Sequence, residues 1–376
     1  MTSLGMPLPV DALSAKLRRF ADPSAPKPAR MMAAKGLVPL GGAELVTLLC
    51  QLGAASDRDV GDQARETLAG LPDNLLLESA DQPLPAPILH ALAQHFAKRS
   101  DVLERIVQNT ATDSATIEII ARTAEERLTE IIAVNQARLL LAPEIIEALY
   151  KNRNTRMSTA DRIVELAARH GLDLKGIPSF RAHVEALRGQ LIPEPCEEAL
   201  PGDSIFREAL AADGDEDAID LTSDADADEQ EKLKDKFRPL AFRIREMNAA
   251  EKIRLATIGD AAARALLIRD PNRTVSHAAI SSPSLTENEA SAFAHSKEIS
   301  EDILRYIGNR REWLRSYEIK RALAFNPKTP SGIALRFINH LRPNDLKVLA
   351  KGRSVPGAVK TAALHRLETK DKKGKR

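Results

Sequence analysis

Aromatic residues are scarce: nine Phe, three Tyr and one Trp in 376 residues, 3% of the chain. That excludes the base-stacking platforms used on single-stranded nucleic acid and weighs against a β-sandwich. Cysteine is rarer still. Two thiols, Cys50 and Cys196, are too few for a disulfide framework or a zinc site and point to a reducing compartment. Long hydrophobic runs are missing as well. The most apolar window, 37–55, is broken by Pro39, Gly41, Gly42, Glu44 and Gln51, so it predicts a buried helix after a turn rather than a membrane span. Met1 to Phe20 has no charged region leading into an apolar core, so no secretion signal is expected and the expected location is the cytoplasm.

The catalytic and cofactor motifs are absent from the sequence too. There is no G-x-G-x-x-G, no G-x-x-x-x-G-K-[ST] and no G-x-S-x-G elbow. The eight histidines contain no H-E-x-x-H, and His90 and His95, five apart, fall on different helix faces. They read as surface or packing residues. Cys50, in Leu48-Leu49-Cys50-Gln51-Leu52, reads as a small buried apolar residue, and Cys196 lies among carboxylates that raise a thiol pKa. The pairs Glu126/Glu130 and Glu144/Glu147 have helical spacing and read as a solvated face. The expectation is a non-enzyme with no cofactor and no metal.

The charge balance is uneven. Net charge is +1 over the whole chain. Residues 1–193 hold 22 Lys and Arg against 23 Asp and Glu; residues 194–231 hold one, Arg207, against 15; residues 232–376 hold 31 against 15. The middle stretch is too poor in apolar residues to fold and repels itself, which predicts an extended linker. It contains one apolar island, Ile205-Phe206-Arg207-Glu208-Ala209-Leu210, spaced for a short amphipathic turn. Opposite charge at high effective concentration predicts that this island docks on the basic half in cis and competes with an outside partner. Deleting 194–231 is then expected to strengthen partner binding, and unchanged affinity removes the idea. Asp22 to Pro28 reads as a second loose segment.

What is present in quantity is helix signal. Val102/Leu103/Ile106/Val107 and Ile145/Ile146/Leu149/Tyr150 recur at i, i+1, i+4, i+5, a wide apolar stripe on one helix face. Asp101-x-x-Glu104, Ser158-x-x-Asp161 and Thr286-x-x-Glu289 read as capping boxes or close variants, and Pro143, Pro330, Pro343 and Pro356 as first-turn prolines. The helices repeat. Leu103/Ile106/Val107 match Leu128/Ile131/Ile132 at an offset of 25, and Ile119/Ile120 match Ile145/Ile146 at 26. Further on, Ala279 to Thr286 matches Leu323 to Pro330 at 44, as Gly308 matches Gly352, and Ile258-Gly259-Asp260 echoes Ile307-Gly308-Asn309. A helix of about ten residues cannot bury its own apolar face, whereas stacked pairs bury it between neighbours. The asparagines and Asn-Pro pairs at unit ends read as helix stops, Asn tolerating the left-handed conformation. Asn152-Arg153-Asn154-Thr155 reads as a turn, with a loop-borne contact site as the alternative.

From Glu251-Lys-Ile-Arg-Leu-Ala256 through Gly259, Arg264 to Asn272, Ser282-Pro283, Asn326-Pro327-Lys328-Thr329-Pro330 and Asp345 to Ala350, the chain resembles bacterial HEAT-like or leucine-rich-repeat-variant helical-repeat proteins. The resemblance spans roughly 245–367 and, more weakly, 85–170. It implies an α-solenoid and no catalytic residues. The expected fold is therefore all-α: an α-solenoid of stacked helix pairs in two halves joined by a disordered acidic linker. The boundaries are 1–30, a flexible N-terminal segment; 31–190, an N-terminal helical-repeat domain; 191–234, the linker; 235–368, a HEAT-like C-terminal domain; and 369–376, a basic tail.

In the basic half, Arg305, Arg310, Arg311, Arg315, Lys320 and Arg321 cluster with Trp313, flanked by Tyr306 and Tyr317; Lys347, Lys351 and Arg353 occupy the next repeat. Equivalent positions of stacked units line up, so these cations are the expected partner-binding stripe. An ordinary charged surface is the plain alternative, and Trp313 reads as inter-helix packing. The expected function is a protein-binding scaffold or adaptor whose basic half meets an acidic partner. The alternatives are a nucleic-acid binder using the same half and a receptor for a nucleotide signal.

Overall fold

The computed structural model describes residues 7–190, 192, 194–195, 198–212, 238–352 and 355–373. Among these the chain is all-α and holds no strand. It divides into two compact units, Met1–Thr155 and Arg156–Arg376. The boundaries expected at 190 and 235 fall inside the second unit.

The first unit runs α1 (Ala15–Ala21), α2 (Lys27–Ala34), α3 (Gly42–Gly53), α4 (Arg58–Ala69), α5 (Asp73–Asp81), α6 (Ala86–His95), α7 (Ser100–Gln108), α8 (Ser114–Thr123), α9 (Glu126–Val134), α10 (Gln136–Leu141) and α11 (Pro143–Lys151). The second runs α12 (Met157–Arg169), α13 (Phe180–Leu187), α14 (Pro201–Ala212), α15 (Arg238–Glu246), α16 (Ala249–Ile258), α17 (Ala261–Leu267), α18 (Arg273–Ile280), α19 (Glu287–His295), α20 (Glu301–Asn309), α21 (Tyr317–Phe325), α22 (Ser331–Ile338), α23 (Pro343–Lys351) and α24 (Gly357–Lys373).

Each helix buries the stripe its sequence provides. Val102, Leu103, Ile106 and Val107 of α7 are buried, as are Ile145, Ile146, Leu149 and Tyr150 of α11. The apolar window becomes α3, with Val46, Leu48, Leu49 and Leu52 fully buried. Alternate helices then pack on one another. In the first unit α5, α7 and α9 form one row and α6, α8 and α11 another. In the second, α16, α18 and α20 follow each other in one row and α17, α19 and α21 in the other. The first of these goes on to α22, where Arg336 donates to the Gly308 carbonyl, and to α24; the second goes on to α23, where Arg321 pairs with Asp345. Row neighbours start between 24 residues apart (Ala249, Arg273) and 30 apart (Glu301, Ser331).

That spacing corrects both repeat offsets. Burial aligns α7 with α9 at 26 rather than 25, placing Val102 with Leu128, Leu103 with Thr129 and Ile106 with Ile132. Thr129 is fully buried with its hydroxyl donating to the Glu126 carbonyl, so an apolar match steps past it. Likewise Ile117 and Ile120, not Ile119, face inward in α8. The 44-residue match joins helices of different rows, because α18 packs on α16 and α20 whereas α21 packs on α19.

The unit-end asparagines are also corrected. Asn109, Asn152 and Asn326 are extended, not left-handed, and among the described residues only glycines have positive φ. Each is buried and does the same work. The Asn109 amide donates to the Ala80 and Gln82 carbonyls at the end of α5, 2.7 Å each; Asn152 to Ala121 and Ala124 at the end of α8; Asn326 to Ala294 and Ser296 at the end of α19. Their Oδ1 atoms accept the backbone N–H two residues on, from Ala111, Asn154 and Lys328. A buried Thr follows at the third position each time: Thr112, Thr155 and Thr329. Ser282 is a shorter version, its Oγ donating to the Thr257 carbonyl at the end of α16, 3.1 Å. The motif N-x-x-T thus clamps the end of one helix to the end of its row neighbour, satisfying carbonyls that a helix end leaves orphaned.

Other expectations resolve locally. Thr286 and Glu289 form a full capping box, and Pro143 and Pro343 open α11 and α23. Pro330 sits one residue earlier, at the N-cap. Asp101 lies inside α7 without capping it, and the Ser158 N–H is held by Asp203 rather than Asp161. The 1–30 segment carries α1 and the start of α2, tied to the N-cap of α4 by Arg30–Asp57 at 3.2 Å; residues 1–6 lie outside the described residues. Part of the 191–234 linker is the helix α14, while 213–234 lies outside the described residues. The basic tail continues α24 as far as Lys373.

Gly308 marks a close approach. A methyl group there would sit 2.7 Å from Ile333 Cγ2. Gly308→Ala is therefore expected to lower stability by about 1–2 kcal/mol by overpacking, although Ala is the better helix former by about 1 kcal/mol. Urea unfolding of the two proteins measures the sign.

Candidate functional site

The predicted cations lie on α20, the 3-10 turn Trp313–Arg315, α21 and α23; α20 belongs to one row and α21 and α23 to the other, so they are not equivalent positions of a single stack. Trp313 is 8% exposed and packs 6.1 Å from the Tyr306 ring. Arg310 lies over both rings, 5.7 Å from Tyr306 and 5.2 Å from Trp313, and donates to the Tyr306 hydroxyl at 3.0 Å. Arg342 covers Tyr317 at 4.6 Å and Arg321 covers Phe325 at 5.4 Å. Guanidinium groups from the same chain thus occupy faces of four aromatic side chains in this region, which leaves little for a stacking base.

The predicted cations fall into two sets. Arg305 pairs with Glu301 at 2.6 Å, Arg310 with Glu312 at 3.9 Å, and Arg321 with Asp345 at 3.0 Å and Glu318 at 3.6 Å. Asp345 also accepts the Tyr317 hydroxyl. Burial, and then that hydrogen bond, holds the Tyr317 phenol above its ordinary pKa, so it stays a donor. Arg311, Arg315, Lys320, Lys347 and Lys351 make no ion pair among the described residues. Lys320 is half-buried and the other four are exposed. Lys347 and Lys351 stand one turn apart on the outer face of α23, with Val348 (58% exposed) between them. Arg353 lies outside the described residues.

The charge count overstates the surface. Arg254 is fully buried and Arg264 is 4% exposed. Arg264 meets Glu289 in a two-point ion pair, Nε to Oε1 at 2.8 Å and Nη2 to Oε2 at 3.2 Å, and donates to the Gly259 carbonyl at 2.6 Å. It ties α17 to α19 and belongs to the core. Local sequence carries no sign that these two arginines point inward.

Two histidines make hydrogen bonds to side chains of other helices. His90 bonds Thr116 at 2.9 Å, and fully buried His183 bonds Asp161 at 2.8 Å. Burial, then Arg65, lowers the His95 pKa. Burial pushes the Cys50 thiol up to about 12, so it stays protonated and unreactive; Cys196 lies outside the described residues. Among the described residues no three His, Cys, Asp or Glu side chains come together as a metal site, and no helix is long and apolar enough to cross a membrane. Compared with protein-family models, curated proteins and solved structures, the chain matches none.

Proposed function

We propose that this chain is a non-enzymatic cytoplasmic scaffold or adaptor that binds another protein through the surface of an α-solenoid of HEAT-like helix pairs. The two rows of alternately packed helices, stepping 24 to 30 residues at a time, support the architectural part of the reading. The observation that carries the functional part is the set of five cations, Arg311, Arg315, Lys320, Lys347 and Lys351, left without carboxylates where neighbouring arginines are neutralised. An acidic segment of another protein supplies the missing charge, which favours fast association and selects against basic partners. Nucleic acid fits the same charge, but aromatic faces capped by arginine disfavour it.

The test compares the wild-type chain with a variant in which all five cations become Glu. A protein with an acidic segment should be retained from the source-cell lysate by the wild type and lost by the variant. A sequence-blind gel shift of DNA or RNA, with no such protein captured, would favour the nucleic-acid reading, since phosphate contacts weaken steeply with salt.

A further inference from the structure

The apolar island of the acidic stretch has become α14, and α14 lies in a groove formed by α12, α15 and α16. Its inward residues are Asp203, Phe206, Ala209 and Leu210, at i, i+3, i+6 and i+7, each at most 8% exposed. The Asp203 carboxylate accepts the Ser158 N–H at 2.8 Å and the Ser158 hydroxyl at 3.0 Å, at the start of α12. The Phe206 ring lies 4.8 Å from the guanidinium carbon of Arg254. That arginine is fully buried and donates to the Arg156 carbonyl at 3.1 Å beside the Met157 sulfur. At the rim, Glu208 pairs with Arg243 at 2.6 Å. The fit is close enough that a methyl group on Gly202 would lie 2.7 Å from Glu251 Oε1.

This is the arrangement of a helix-in-groove complex made within one chain: a carboxylate for a main-chain N–H, an aromatic ring for a cation, two aliphatic anchors, Ala209 and Leu210, and a rim ion pair. A twelve-residue helix is marginal by itself, so α14 owes its helicity to the groove. Its anchors in the groove are the Asp203 carboxylate and three apolar side chains, Phe206, Ala209 and Leu210.

We infer that the groove between α12, α15 and α16 is a docking site for an acidic amphipathic helix, and that α14 occupies it in cis as a competitor. The outside partner carries the same pattern, a carboxylate followed at three by an aromatic residue and at six and seven by small or aliphatic ones. Its binding displaces α14. The inference rests on the reading of the chain as a protein-binding scaffold but uses a different surface from the five cations.

The test uses the full chain and a fluorescent peptide with the sequence of residues 198–212. Phe206→Ala and Gly202→Leu both weaken α14 and leave the groove intact. Each variant should bind the peptide at least about tenfold tighter than the wild type, whose own helix competes at millimolar effective concentration. Arg243→Glu added to either variant, or Asp203→Ala in the peptide, should abolish that gain. Hydrogen exchange of the wild type, which needs no substitution, should show α14 amides exchanging faster than those of α12 and α16. Exchange of α14 at the rate of its neighbours, or folded variants that bind the peptide no better than the wild type, would make α14 permanent core and overturn the inference. Peptide binding with no protein lost by the five-Glu variant would instead remove the basic-surface reading and leave this one standing.

Discussion

Replacing Arg264 by Met should destabilise the second unit by about 3–5 kcal/mol, because it leaves the Glu289 carboxylate buried without its guanidinium. Glu289 is held from two sides, by Arg264 and by the N–H and hydroxyl of Thr286. Removing the arginine strands a charge that water cannot reach. Removing both partners, Arg264→Met with Glu289→Leu, takes the charge away as well and leaves mainly the lost cap at Thr286, about 1 kcal/mol. The double variant should therefore be more stable than the Arg264→Met single variant. Thermal unfolding reads this directly: a fall of roughly 10 °C for the single variant at the usual 2–4 °C per kcal/mol, and a smaller fall for the double. Additive losses would mean the pair is not coupled.

The second large effect lies in the asparagine clamps. Asn326→Ala removes two donors and one acceptor at once, and the Ala294 carbonyl is left buried without its partner. At about 1 kcal/mol per hydrogen bond the loss comes to about 3 kcal/mol. Asn326→Asp, of nearly the same shape, should cost more than Ala at neutral pH, because it sets a carboxylate oxygen against two carbonyl oxygens. Only its protonated form can donate. The folded protein therefore binds that proton more tightly than the unfolded chain, and the deficit shrinks as pH falls and grows as pH rises through the folded-state pKa. Urea midpoints across pH measure it. An Asp variant as stable as wild type at neutral pH would mean that the amide donates to nothing that matters.

These two networks also explain what could be read in advance. Stripes such as Val102/Leu103/Ile106/Val107, the Thr286/Glu289 box and the prolines opening α11 and α23 are local features, and the spacing that predicts them is the spacing that forms them. The clamps are different. Asn109, Asn152 and Asn326 find their acceptors 27 to 32 residues back, so nothing in the flanking sequence distinguishes them from helix stops. The recurrence of N-x-x-T was the available signal. Thr129 hid the true 26-residue register because a buried hydroxyl bonded to its own helix packs as an apolar group does. Composition alone predicts no fold for residues 201–212, since net charge averages over a stretch in which four inward positions suffice to dock a helix.

The candidate surface was legible as a list of cations but not as a charge distribution. Arg254 and Arg264 count toward the excess and are buried, and Arg305, Arg310 and Arg321 are offset by carboxylates their sequence neighbours do not all supply: Asp345, the partner of Arg321, is 24 residues away. Five positions remain, and the account turns on them. The most direct measurement is capture of acidic-segment proteins from source-cell lysate by the wild-type chain and by the variant with Glu at 311, 315, 320, 347 and 351, both folded by circular dichroism. The account predicts a protein retained by the first and lost by the second; the same set of proteins on both would contradict it.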